Sequence, residues 1–314
     1  MAKFFLGFIL MFYIMGWSQS SNEIVQRASY FNASYENDLF LGTDQYYSQG
    51  SRLSWASPIW GKSPILFFFP KMITHQEELH ELSVEHDFYT PTDITADTLL
   101  VGDHPYACAF YFNQKMSVFN LSKKIAIHTS IDLGVFGPWA LGEFSQKNFH
   151  RWTNSPDPKG WKYQIDNDIL LNYAMQFQYG WVQTNWLEVV PSATLQLGTS
   201  KTYIALQPQL KLGWFNPLFK SEVNRKKKFQ FYISSNAKME LIAYNALLQG
   251  GLINQQSPYT ISPDNLQRFV FSVQVGAYMA IYNFNFGFTF HHLSSEFETA
   301  QTHQWGQIEA RITF

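Results

Sequence analysis

The last eleven residues, Gln304-Trp305-Gly306-Gln307-Ile308-Glu309-Ala310-Arg311-Ile312-Thr313-Phe314, alternate with a period of two up to a terminal aromatic. Gly306, Ile308, Ala310, Ile312 and Phe314 share one face; Trp305, Gln307, Glu309, Arg311 and Thr313 share the other. That is a β-strand with one apolar and one polar side. Comparable segments recur along the chain. Strands are expected near 26–37, 47–57, 78–90, 105–118, 123–136 and 168–181, then near 185–198, 202–216, 229–242, 268–281, 284–297 and 304–314. They make twelve, with no domain linker and no repeat beyond the alternation itself. No internal run of ~18 apolar residues exists, which excludes helical membrane spans. An even number of strands of about ten residues or more, closing on a terminal Phe, is the pattern of a single-chain outer-membrane barrel. A soluble β-sandwich accounts for neither the strand lengths nor the last strand. The fold class expected is all-β: a twelve-stranded antiparallel transmembrane β-barrel.

The opposite end of the chain agrees. Lys3 and an apolar run from Phe4 to Gly16 are followed by Ser18-Gln19-Ser20. This is the n-region, h-region and small-residue cleavage site of an export signal, and the run is too short to span a bilayer. Residues 1–20 are therefore expected to be a cleaved signal peptide and 21–314 a single barrel domain. Composition sharpens the picture. The chain has 29 Phe, 17 Tyr and 10 Trp, yet its mean hydropathy is slightly negative. Aromatic girdles combined with alternating lipid-facing and lumen-facing residues produce that combination. A net charge of −2 argues against a nucleic-acid partner. The single cysteine, Cys108, excludes an internal disulfide.

Strand parity orients the chain. With both termini periplasmic, the exterior connections are 38–46, 91–104, 137–167, 199–201, 243–267 and 298–303. Periplasmic turns should be short; Asn120-Leu121-Ser122, Val182-Gln183 and Tyr282-Asn283 are, whereas 58–77 and 217–228 are not. The basic run Arg225-Lys226-Lys227-Lys228 reads as a solvated turn. The densest polar clusters fall on the exterior rim. Glu36-Asn37-Asp38 and Thr43-Asp44-Gln45-Tyr46-Tyr47-Ser48 lie there, as do Asp103-His104-Pro105-Tyr106-Ala107 and Ser295-Glu296-Phe297. In the third exterior loop Gln146 and His150 are four residues apart, so a helical turn over Leu141 to Trp152 puts them on one face. An imidazole can act as a general base near neutral pH, and a neighbouring amide can donate to an oxyanion; a plain loop histidine is the simpler alternative. Asn37, Asp38 and Thr43 are oxygen donors that suit a hard cation such as calcium, and equally an Asx turn. His291-His292 point to opposite faces of a strand and make a poor metal pair. Cys108 with His104 lacks a third partner for catalysis, and no Gly-x-Ser-x-Gly elbow occurs.

These residues, taken together, resemble the outer-membrane lipid A 3′-O-deacylases. The matching segments are Glu36-Asn37-Asp38, Thr43-Asp44-x-x-Tyr47-Ser48-x-Gly50, Tyr89-Thr90-Pro91-x-Asp93-Ile94 and Asp103-His104-Pro105-Tyr106-Ala107. Further along come Gly137-Pro138, Gly142-Glu143, Gln146-x-x-x-His150, Gly160-Trp161-x-x-Gln164-x-x-Asn167-Asp168, Tyr244-Asn245 and Glu296-Phe297. The resemblance implies a site between the barrel wall and an exterior-loop helix, where the ester carrying the 3′ acyloxyacyl chain of lipid A is hydrolysed with Ca2+. It implies His150 as general base, Gln146 at the oxyanion, and Asn37 and Asp38 at the calcium. Substrate contacts would come from Thr43, His104, Gln164 and Asp168. The implied partners are lipopolysaccharide and outer-membrane lipids, with the chain a monomer. Three positions depart from the family pattern and bear on substrate preference: His104 replaces an arginine, Cys108-Ala109 stand where Gly-Trp often follow, and Asp168 replaces a glutamate. Two other readings remain open, a calcium-dependent barrel phospholipase with a serine nucleophile and a non-catalytic structural or pore barrel.

Overall fold

The computed structural model describes residues 24–42, 45–70, 73–221 and 227–314. Thr43, the Arg225-Lys226 part of the basic run and residues 1–20, expected to be a signal peptide, lie outside the described residues. The wall is built from β1 (Tyr30–Asn37), β2 (Tyr46–Ala56), β3 (Glu77–Thr90), β4 (Ala107–Asn120), β5 (Ile125–Phe136) and β6 (Asp168–Tyr179). After these come β7 (Leu187–Val190 and Ser192–Gly198), β8 (Lys201–Leu206 and Gln209–Trp214) and β9 (Phe229–Asn245). The last three are β10 (Phe269–Ile281), β11 (Phe284–Leu293) and β12 (His303–Thr313). The breaks in β7 and β8 fall at Pro191 and at Gln207-Pro208, because proline has no N–H for the ladder. Each strand pairs antiparallel with its sequence neighbours, and β12 returns to β1 with Gly306 opposite Asn37 and Thr313 opposite Tyr30. The twelve strands therefore form a closed antiparallel barrel, as the alternation predicts.

Register and alternation together define the outer surface. Cross-strand partners can be followed from Trp214 to Phe231, Met279, Phe286, Ala310, Ala33, Leu53, Val84, Phe112, Leu133 and Leu171. Every member is apolar, and the path climbs from the foot of β8 to the top of β6. That climb is the stagger that strand tilt imposes on a closed barrel. Phe112, Leu133, Leu171 and Phe231 on this path are each about half exposed, with nothing of the chain outside them. Such a belt meets the needs of a bilayer, where closed barrels leave no unpaired edge.

The opposite face of each strand fills the interior with paired charge. Arg52 reaches Glu81 at 2.9 Å and Glu85 at 3.4 Å, and Lys115 reaches Glu81 at 2.9 Å. Tyr111 donates to both Glu85 and Asp87, while Asn113 and Asn172 donate to Asp132. At the terminus-bearing mouth Arg27 pairs with Glu77 at 2.9 Å and lies over the Phe119 ring. Small barrels are filled by side chains in this way.

Two boundaries differ from expectation by four residues. The first strand begins at Tyr30 rather than 26, because Val25–Gln26 instead pair parallel to Glu77–Glu78. The eleventh strand ends at Leu293 rather than 297, because Phe297 turns inward to bridge Leu266 and packs with Tyr46 and Leu248. Phe112 lies midway along β4 on the outer belt. Phe112→Arg is expected to lower stability by about 2–4 kcal/mol, the cost of a cation on the lipid face near the midplane. Denaturant unfolding of the reconstituted protein should show it; an unchanged midpoint would mean that Phe112 does not face lipid.

Candidate functional site between helix and wall

The connection 137–167 forms α1, Gly142–Thr153. Gly137, at φ 86°, leads into a 3-10 turn at Pro138–Ala140, and the helix stops where Asn154 turns left-handed and its N–H donates to the His150 carbonyl. Gly142, Gln146 and His150, spaced by four, form its buried face, as the i, i+4 argument predicts. On the other side Phe144 and Trp152 are exposed, an aromatic face of the kind found at membrane interfaces.

The helix docks on the outside of the wall. Cys108 on β4 and His86 on β3 occupy outward positions, and His86 Nε2 lies 2.8 Å from the Ala140 carbonyl and 3.2 Å from Cys108 Sγ. A side chain at Gly142 would meet Cys108 and Trp161 at 2.6 Å, so glycine lets the helix start close to the strand. Phe149 rests near outward-facing Tyr35, with ring centroids 6.4 Å apart. A groove is left between helix and wall, lined by Asn37, Leu39, Ser48, Gln49, Gln146, Phe149, His150 and Ser155.

Hydrogen bonds orient the groove's polar groups. His150 Nδ1 lies 2.5 Å from the Pro156 carbonyl. A carbonyl only accepts, so the neutral ring carries its proton on Nδ1 and its lone pair on Nε2. Trp161 Nε1 donates to Gln146 Oε1 at 2.7 Å. The indole can only donate, so the amide orientation is settled and the Gln146 NH2 is left as the donor. Asn37 caps the 3-10 turn Asp38–Leu41, accepting from Leu39 N at 2.7 Å, and Asp38 accepts from Gln45 N at 2.7 Å. Asn37 thus makes an Asx turn, whereas Asp38 reaches across to Gln45, just before β2. Ser48 belongs to the exterior-rim cluster and to the family motif, but its spacing assigns it no role. It is the extra residue of a β-bulge between Tyr47 and Gln49, which no local sequence signal marks. Its hydroxyl is buried without a hydrogen-bond partner among the described residues.

Oxygen donors lining the groove include the Asn37 amide and the Ser48 hydroxyl, with the Asp38 carboxylate next to Asn37 in sequence. An all-oxygen set fits a hard cation, and an unsatisfied buried hydroxyl fits an absent ligand. Among the described residues no three His, Cys, Asp or Glu side chains converge as a metal cage, so most ligands of such an ion would be neutral oxygens.

Other residues expected at the site lie elsewhere. Asp168 opens β6, and its carboxylate accepts from Ile169, Ile253 and Asn254 backbone N–H groups, which secures the 246–257 loop. Gln164 is buried just beyond Trp161, with its Oε1 unpartnered among the described residues. His104 sits above the lumen, not in the groove. It stacks on Tyr89 at 5.4 Å and 9° and lies within about 6 Å of Tyr46 and Phe297. Burial pushes its pKa down to about 4, so it supplies no positive charge at this position near neutral pH. Because the folded state favours neutral His104, its contribution is complete above pH 6.5 and is lost as pH falls toward 4. His104→Gln is expected to flatten the acid limb of stability by about 3 kcal/mol across that window, measured as denaturation midpoints at pH 7 and pH 4. Equal acid sensitivity in both proteins would refute it.

Comparison with known proteins agrees with this architecture. A family model described as outer membrane protein LpxR matches residues 4–314. Among solved structures, LpxR from Salmonella typhimurium superposes with a TM-score of 0.73 at 16% identity, covering 91% of this chain and 100% of that one. The β domain of the Bordetella autotransporter BrkA matches at a TM-score of 0.46 and 8% identity, covering 92% of this chain and 100% of that one. No curated protein sequence matches. With the family match running over nearly its whole length and the wall closed as a twelve-stranded barrel, the chain belongs to the LpxR family of outer-membrane proteins.

Proposed function

We propose that this protein is a lipid A deacylase, hydrolysing the ester that carries the 3′ acyloxyacyl chain in the outer leaflet. The observation that carries the reading is the groove on the lipid side of the wall. There His150, fixed through Nδ1, and Gln146, fixed through Oε1, line one cleft with Asn37 and Ser48. A bilayer lipid reaches such a cleft laterally, without leaving its leaflet.

His150 Nε2 takes a proton from water as the water oxygen attacks the ester carbonyl. The Gln146 NH2 donates to the oxyanion that forms, held ready by Trp161 so that no reorganisation is needed. Collapse expels the sugar alkoxide, which receives the proton back from His150. Leu39 and Phe149 keep the cleft apolar around these few polar groups. Calcium, bound through Asn37, Asp38 and Ser48, would supply Lewis-acid polarisation of the carbonyl.

One observation favours a second reading. Ser48 shares the cleft with His150, which is also the arrangement of a serine nucleophile and its base. The two readings separate experimentally. In the water mechanism a fluorophosphonate leaves the protein unlabelled, and Ser48→Ala, which removes one oxygen offered to calcium, slows turnover without abolishing it. Labelling at Ser48 with complete loss of activity in Ser48→Ala would establish an acyl-enzyme instead. His150→Ala is expected to lower turnover by about 10²–10⁴-fold while the barrel remains folded. Mass spectrometry of lipid A from cells expressing either form reports it: the ester-linked chain should be missing only with His150 present. Intact lipid A in both cases would refute the activity.

A further inference from the structure

The connection between β2 and β3 is the part of the wall that strand alternation leaves unexplained, being too long for a tight turn. Residues 58–70 hold one charge, Lys62, among seven large apolar side chains. They fold as two 3-10 turns, Pro58–Lys62 and Pro64–Phe68. The segment does not extend away from the rim. It climbs back along the outside of the barrel. Ser57 N donates to the His80 carbonyl, and Trp60 meets Trp55 edge-on at 5.1 Å. Ser63 Oγ donates to Gln114 Oε1 at 2.7 Å, and Gln114 Nε2 donates back to the Trp60 carbonyl at 3.1 Å. Tyr173 on β6 donates to the Phe68 carbonyl at 3.1 Å. Phe69 is buried among Met116, Val118 and Ile127. By alternation each of these wall residues points outward.

What the segment covers is polar. Glu78, His80 and Gln114 occupy outward positions on β3 and β4, where neighbouring strands carry hydrocarbon. Glu78 lies 2.5 Å from His75 Nε2 and 3.1 Å from His80 Nε2, and the side chains of all three are buried. The other ring nitrogen of His75 faces the Ile73 carbonyl at 3.1 Å, so both ring nitrogens of His75 meet oxygen acceptors. Bare to hydrocarbon, this cluster would be costly. Gly61 lets the cover lie flat, since a Cβ there would stand 3.1 Å from His80 Nε2.

The outer side of the cover is apolar: Phe67 is 80% exposed, Phe68 63% and Ile59 55%. Its backbone satisfies itself through turns such as Ser63 N to the Trp60 carbonyl, Leu66 N to the Ser63 carbonyl and Phe69 N to the Leu66 carbonyl. A non-strand segment facing lipid must do so. It also reaches the level of Gln114, two residues along β4 from belt residue Phe112, so its surface continues the lipid-facing belt.

We propose that residues 58–70 are a membrane-embedded strap. Ile59, Phe67 and Phe68 seat against phospholipid acyl chains of the leaflet nearer the chain termini, and the strap thereby seals the His75–Glu78–His80 and Gln114 patch from hydrocarbon. The occupant is lipid, not water and not a second copy of the chain.

Site-directed spin labelling of the full chain in phosphatidylethanolamine–phosphatidylglycerol liposomes tests this. Cys108 is fully buried, so wild type serves as the labelling blank. A nitroxide at Phe67→Cys should collide with oxygen several-fold more than with a water-soluble nickel chelate, matching a wall reference at Leu53→Cys. A label at Lys123→Cys in the β4–β5 turn should show the reverse. Nickel accessibility at Phe67→Cys equal to that at Lys123→Cys would overturn the proposal by placing the strap in water. Dipolar broadening between labels would overturn it by showing a second copy on this face. Ile59→Cys on the same surface repeats the measurement independently of any folding defect at Phe67, with heat-modifiable gel mobility confirming the closed barrel for each variant.

Discussion

Backbone hydrogen bonding is the constraint on which the rest of the molecule depends. In hydrocarbon an unpaired N–H or carbonyl has no water to turn to, and each costs several kcal/mol. A sheet meets this condition only by closing, so the pairing of β12 with β1, from Gly306–Asn37 to Thr313–Tyr30, leaves the wall without an edge. Closure in turn imposes tilt and stagger. Stagger is why one line of cross-strand partners climbs from Trp214 near one rim to Leu171 near the other while remaining apolar throughout.

A closed wall also decides where chemistry can be placed. Its interior is occupied by the Arg52, Glu81, Glu85 and Lys115 network and by hydrogen bonds to Asp132. The groove lies outside instead, made by laying α1 over the lipid-facing side of the upper strands. Docking a helix there requires the wall to stop being purely apolar. His86 and Cys108 supply contacts to Ala140, and Gly142 supplies the close approach. The strap at 58–70 repeats the arrangement near the other rim, where an added segment covers outward polar residues. In both places a break in the apolar alternation of β3 and β4 marks a segment that packs against the wall from outside.

The polar groups of the groove are held by neighbours that are not reactive themselves. Trp161 sets the orientation of the Gln146 amide and the Pro156 carbonyl sets the His150 tautomer. Asn37 accepts from Leu39 N in the 3-10 turn after β1 at the same time as it borders the cleft, and Asp38 holds Gln45 N just before β2. A substitution at any of these supporting residues therefore changes geometry before it changes chemistry.

Much of the fold was legible in the chain because a barrel strand writes its environment into every second residue. Phe112, Leu133 and Ile308 face out while Asp132 and Arg52 face in, and the period shows this without reference to other strands. The i, i+4 spacing of Gln146 and His150 was likewise local, since a helix places such pairs on one face whatever surrounds it. What the tertiary structure decided depends on which strand meets which. It raised Ser48 into the groove through a bulge that exists only in the pairing of β2 with β3. It placed His104 over the lumen, stacked on Tyr89, and gave the Asp168 carboxylate to the backbone of a loop 85 residues away. It also folded residues 58–70 back onto the wall, because the polar outward positions they cover lie on β3 and β4 and their apolar anchors reach as far as β6. Alternation by itself determines inside and outside; contacts between distant strands determine which side chains share a site, because register and closure belong to the assembled sheet.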